Sequence, residues 1–107
     1  MNPLILHLKL EYWDAIAKGI KTVEYRECKP YWQKRIRNKK EIIFTPGYKA
    51  DNYFDIHTTI EKIEIVNFLE LPTEIRHFFR DSHYDRFYAI SFKKIDEDEN
   101  TNYSNRK

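Results

Sequence analysis

Apolar residues alternate from the start of the chain. Leu4, Leu6, Leu8 and Leu10 share one parity, with Ile5, His7 and Lys9 on the other, which predicts a strand over 4–10 with one buried face. His7 reads as a half-buried strand histidine, and Lys9 as a candidate cation for a pocket beside the next element. The period then lengthens. Tyr12, Ala15 and Ile16 stand at i, i+3, i+4 spacing, predicting a helix over 11–18. Acids Glu11 and Asp14 open it and Lys18 closes it, as the helix dipole favours. Gly19 supplies a left-handed stop. Alternation resumes over 20–26, predicting a second strand. Thr22, Glu24 and Arg26 fall on one parity there, so Glu24 and Arg26 share a face. Lys21 stands at the start of this strand, just past the glycine turn.

Residues 27–40 have no clean period. Pro30 breaks the pattern, and the stretch from Tyr31 to Ile36 is long enough for one helical turn. A third strand is expected over 41–45, a Pro46-Gly47 turn after it, and a polar loop over 48–54. A long strand follows over 56–68. Its apolar parity changes near Lys62, which predicts a bulge or bend, the device by which a short sheet curves toward a barrel. Leu71, Ile75, Phe78 and Phe79 give the apolar side of a second helix over 71–80, with Pro72 in its first turn. The closing strand spans 87–95. From Asp96 the composition turns acidic and polar, and residues 96–107 read as a disordered tail. The chain is therefore one domain over 1–95. The order β-α-β-β-β-α-β predicts an α+β fold built on a small mixed β-barrel with two short helices.

Composition narrows the function classes. One cysteine, Cys28, excludes an internal disulfide framework and points to a reducing compartment. The start of the chain lacks the basic and apolar regions of a signal peptide. No stretch approaches the roughly 18 apolar residues of a membrane span, so a cytoplasmic protein without a membrane partner is expected. The His residues lack metal-ligand spacing, so neither metal nor cofactor is expected. A monomer is the default.

Charge changes the picture more. Residues 18–49 carry ten Lys/Arg against three acids, a net of +7, whereas residues 50–85 carry eight acids against three bases, a net of −5. Such a dipolar domain points to an anionic partner. Cys28 lies among the cations, an environment that lowers a thiol pKa, though no histidine neighbours it in sequence. Aromatic residues Tyr12, Tyr25, Tyr31, Trp32 and Tyr48 are interleaved with the cations. That pattern serves the stacking of unpaired bases, and equally ordinary cation–π contacts.

Residues 8–26 resemble the opening of an ASCH domain, a small PUA-like β-barrel. The G-x-K-x-x-E-x-R signature is met at Gly19, Lys21, Glu24 and Arg26, after an aromatic helix carrying Tyr12, Trp13 and Ile16. The stretch from Tyr88 to Phe92 is similar to the family's last strand. The resemblance implies a cleft in which the signature Lys and Glu meet, between the barrel and the first helix. It also implies binding of RNA, a nucleotide or a nucleoside. Some relatives are hydrolases, one group removing an acyl group from N4-acetylcytidine and another member acting as a ribonuclease. The deacylating group has threonine where this chain has Glu24.

Two readings follow. As a binding module, Lys9, Lys21, Arg26 and the loop cations would meet phosphate. Tyr31, Trp32 or Tyr48 would stack a base, and Glu24 would accept from an exocyclic amine. As a hydrolase of a modified nucleoside (amidohydrolase) or of RNA (ribonuclease), Lys21 would be base or nucleophile and Glu24 the general acid/base. A third reading, a protein-interaction domain using the acidic block, has only that block behind it.

Overall fold

Alternation at the start of the chain produces β1 (Leu4–Leu8), with Leu4, Leu6 and Leu8 buried and Ile5 and His7 exposed. A computed structural model describes residues 2–47 and 54–95. The expected roles of Tyr48 and of the 96–107 tail lie outside the described residues. The strand alternation ends at Leu8, because Leu10 opens α1 (Leu10–Ala17) and is partly exposed rather than core. The apolar stripe of α1 is buried through Trp13, Ile16 and Ala17.

The exit from α1 fixes what comes next. Gly19 has φ +74°, a conformation glycine adopts without the Cβ penalty of other residues. Its N–H donates to the Ile16 carbonyl at 3.0 Å, and the Ile20 N–H donates to the Ala15 carbonyl at 2.9 Å. Together these form a Schellman C-cap. The Lys21 N–H also donates to the Ala15 carbonyl, at 3.1 Å. With those donors taken, β2 starts at Val23 rather than Ile20 and runs Val23–Glu27.

Next comes α2 (Pro30–Ile36), a full helix where only one turn was expected. Pro30 starts this helix instead of breaking it, since a first-turn N–H has no intrahelical partner to lose. Ile36 anchors its end in the core. Strands β3 (Glu41–Pro46), β4 (Ile56–Asn67) and β5 (Arg86–Phe92) follow. Between β4 and β5 a 3₁₀ turn at Phe68–Glu70 precedes α3 (Thr73–Phe78). Pro72, at ψ 150°, separates the two and delays the start of the helix. The described residues thus hold three short α-helices rather than two.

The strands form one mixed five-stranded sheet in the order β1-β3-β4-β5-β2. β1 and β3 are parallel and the other pairs antiparallel. The expected bulge is present: Ile60 pairs with Phe92 but Lys62 with Ser91, leaving Glu61 as the extra residue. The sheet curves into a half-barrel around Leu4, Leu6, Ile16, Ile42, Phe44, Ile90 and Phe92. The Phe44 and Phe92 rings meet there at 4.8 Å. Cutting such a residue to alanine costs about 3–5 kcal/mol. Strands β1 and β2 are left as the two margins of the sheet. No helix among the described residues is long and apolar enough to cross a membrane.

Candidate functional site

A cavity of about 220 Å³ lies where the two sheet margins, the start of α1 and α3 meet. The α1 cap delivers Lys21 to it. The Lys21 side chain folds back over the start of β2, its Nζ donating to the Val23 carbonyl at 2.7 Å and pairing with Glu24 Oε1 at 3.1 Å. An ammonium has three donors, so one is left for a ligand. The second Glu24 oxygen pairs with Arg26 Nη2 at 2.6 Å, as the shared strand face requires. Glu24 is the one charged residue in the buried class among the described residues. It holds two cations in a fixed arrangement, and each carboxylate oxygen keeps a further lone pair.

Aromatic rings frame this triad. Lys21 Nζ lies 6.0 Å from the ring centres of both Tyr12 and Tyr25. The Arg26 guanidinium stacks 4.9 Å from Trp32 of α2, and its Nε is buried without a hydrogen-bond partner among the described residues. Burial pushes the Tyr12 phenol up from its ordinary pKa, helped by the nearby carboxylates of Glu11, Glu24 and Glu74. Burial alone pushes the Tyr25 phenol the same way. Both hydroxyls therefore remain protonated donors at neutral pH.

The outer wall is α3, which contributes Ile75, Phe78 and Phe79. Phe78 meets Tyr12 edge-on at 6.3 Å, and Lys9 Nζ lies 5.8 Å from the Phe78 ring. No α3 residue is fully buried, and Phe78 is 55% exposed. The stripe that reads as core in the sequence is here the wall of a concavity. His7, also in the lining, is exposed rather than half-buried, and its Nδ1 is 2.6 Å from Thr45 Oγ1.

Lys9, Lys21, Glu24 and Arg26 are thus brought together. Tyr31 and Trp32 are not in the lining. They sit on α2, packed on each other at 4.9 Å, and Trp32 touches the cavity's Arg26. Tyr12, Tyr25 and the α3 residues complete the walls. The sequence signal for the two tyrosines is aromatic richness beside the motif, and for Ile75, Phe78 and Phe79 it is the apolar stripe of the second helix. Cys28 departs from expectation: burial raises its thiol pKa, with Arg86 only partly opposing.

No family model and no curated protein sequence matches the chain. Its structure is similar to two crystal structures of ZmASCH from Zymomonas mobilis. A tyrosine-to-phenylalanine variant matches with a TM-score of 0.61 at 17% identity, over 85% of this chain and 69% of that one. A serine-to-alanine variant matches with a TM-score of 0.61 at 18% identity, over 89% of this chain and 74% of that one. The mixed half-barrel described above is therefore an ASCH-type, PUA-like fold.

Proposed function

We propose that the cavity binds a nucleoside unit, as a free nucleoside or nucleotide or as one residue of single-stranded or modified RNA. The observation that carries this reading is the Lys21–Glu24–Arg26 triad set inside aromatic walls. A planar base would lie against Tyr12, Tyr25 or Phe78. Stacking of this kind contributes about 1–3 kcal/mol per base. The remaining lone pairs of Glu24 suit an exocyclic amine, and the free Lys21 donor suits a base carbonyl. Lys9, at the rim, suits a phosphate. A cavity of about 220 Å³ is smaller than the roughly 300–1,000 Å³ of drug-sized ligand sites. It suits one nucleoside.

The geometry favours holding a ligand over reacting with it. Lys21 is engaged by Glu24 and by a backbone carbonyl, and both Glu24 oxygens already face a cation. A Lys21 nucleophile or a Glu24 general acid/base would first have to leave these partners. The test is incubation with a panel of acylated and modified nucleosides and short RNAs, with Lys21→Ala as control. Binding without turnover, lost in the variant, is the expected result. Turnover lost in the variant would make the protein a nucleoside or RNA hydrolase instead. No Lys21-dependent binding or turnover would end both readings.

A further inference from the structure

A second concavity lies apart from the cavity. It is a groove of about 390 Å³ between the β1 margin and α2, with Lys34, Arg35 and Lys39 on one side and Asn2, Pro3 and Ile5 on the other. Its charge is of one sign. Residues 29–40 contain six Lys/Arg and no acid. Of these six, only Lys29 has an ion-pair partner among the described residues, namely Glu27. Lys39 donates to the Asn2 carbonyl at 3.1 Å, a bond that holds the groove's two sides together and leaves its charge uncompensated.

A chain of stacked groups joins the groove to the cavity. Arg26, a member of the cavity triad, lies 4.9 Å from the Trp32 ring. Trp32 meets Tyr31 at 4.9 Å, and the Arg35 guanidinium lies 4.4 Å from the Tyr31 ring. Arg35 is itself a groove residue. Two stacked rings, with a cation at either end, therefore run from the cavity, across α2, to the groove, and Tyr31 presents half its surface to solvent on the way. A lone nucleoside would need none of this. A strand would: its phosphates want cations without ion-pair partners, as in the groove, and its bases want an exposed ring such as Tyr31 between the two sites.

We infer that the groove of Lys34, Arg35 and Lys39 is a second subsite for backbone phosphates, so that the ligand is a single-stranded polynucleotide running from the cavity over Trp32 and Tyr31 of α2. The inference rests on the nucleoside reading only for the strand's end in the cavity. An Arg/Lys groove that spares the bases gives affinity without sequence choice, while the cavity would choose the base.

The experiment measures two ligands against two sites. Binding of a labelled mixed-sequence single-stranded RNA decamer is followed by anisotropy from 50 to 200 mM salt. Binding of the four ribonucleosides is followed by NMR. The groove variant is Lys34→Ala/Arg35→Ala/Lys39→Ala. Lys34→Glu alone, on an exposed helix position, serves as a second variant if the triple one folds poorly. The groove variant is expected to keep nucleoside affinity within about twofold. The slope of its log affinity against log salt for the decamer should be shallower by about 2, since each single-strand phosphate contact contributes about 0.7. Over that salt range the wild type should lose about 20-fold more affinity than the variant. Unchanged decamer affinity and slope would overturn the inference, as would equal loss of nucleoside and decamer. Groove-dependent decamer binding with no nucleoside binding anywhere would leave the groove standing and remove the cavity reading.

Discussion

Strands β2 and β4 flank β5 on its two sides, and each carries an opposite-charge pair two residues apart on one face. On β2 it is Glu24 and Arg26, paired at 2.6 Å with side chains 10% and 21% exposed. On β4 it is Lys62 and Glu64, paired at 3.4 Å with side chains 63% and 56% exposed. In sequence the two are alike: alternating strand, same-face charges. Covering elements make the difference. The α1 cap brings Lys21 onto Glu24, α2 lays Trp32 on Arg26, and α3 raises an apolar wall in front. Among the described residues nothing comparable stands over Lys62 and Glu64. The pair on β4 is a solvated ornament of the strand, whereas the pair on β2 is desolvated and bound to a third charge. A motif's spacing supplies the charges. The chain packed around it decides whether they can select a ligand.

The comparison breaks first at Glu24. Replacing it by alanine leaves two partly buried cations facing each other without their carboxylate. Removing one partner of such a group costs about 3 kcal/mol or more, measured as a lower urea midpoint. A loss under 1 kcal/mol would place the β2 triad in the same class as the β4 pair.

Gly19→Ala should cost about 2 kcal/mol. A left-handed conformation is penalised by about 1–2 kcal/mol in a residue with a Cβ. The added carbon would also lie 2.7 Å from Lys94 Cε and 3.0 Å from the Ile95 carbonyl oxygen. The lysine tip can move, but the backbone oxygen cannot easily do so. Because the same turn places Lys21, ligand binding should fall with stability in this variant.

Phe78→Ala separates wall from core. With more than half of the ring exposed, it should lower stability by under about 1 kcal/mol. Base affinity should fall by about tenfold, the lower part of the range for a lost stacking ring. If stability instead falls like that of a buried Phe→Ala change, about 3–5 kcal/mol, α3 is core and not a wall. Smallest is Glu64→Ala, expected to change stability by under about 0.5 kcal/mol, the usual worth of an exposed pair. It should leave binding untouched.

Much of this arrangement is legible in the residues. Alternating Leu4, Leu6 and Leu8, the glycine stop and the parity change near Lys62 each have a local physical cause and appear in the structure as read. Glu24 and Arg26 share a face for the same local reason. The failures share another cause. Pro30 reads as a breaker, but its effect depends on which helical position it occupies. Leu10 continues an alternation that the α1 start cuts short. The apolar stripe of α3 has the spacing of a core helix, and only the three-dimensional packing leaves it uncovered. Cys28 sits among cations in sequence, yet burial of its thiol outweighs the pull of Arg86. Local pattern records the strand a residue belongs to, but not what lies over it.

The central claim is that the cavity between β1, β2 and α3 holds a nucleoside through Lys21, Glu24 and Arg26. Its most direct test is a ¹⁵N–¹H NMR titration of the protein with single nucleosides, repeated on Lys21→Ala. Shifts should be confined to the amides of residues 7–12, 21–26 and 75–79 and be absent in the variant. Shifts centred elsewhere, or persisting in a folded Lys21→Ala protein, would contradict it.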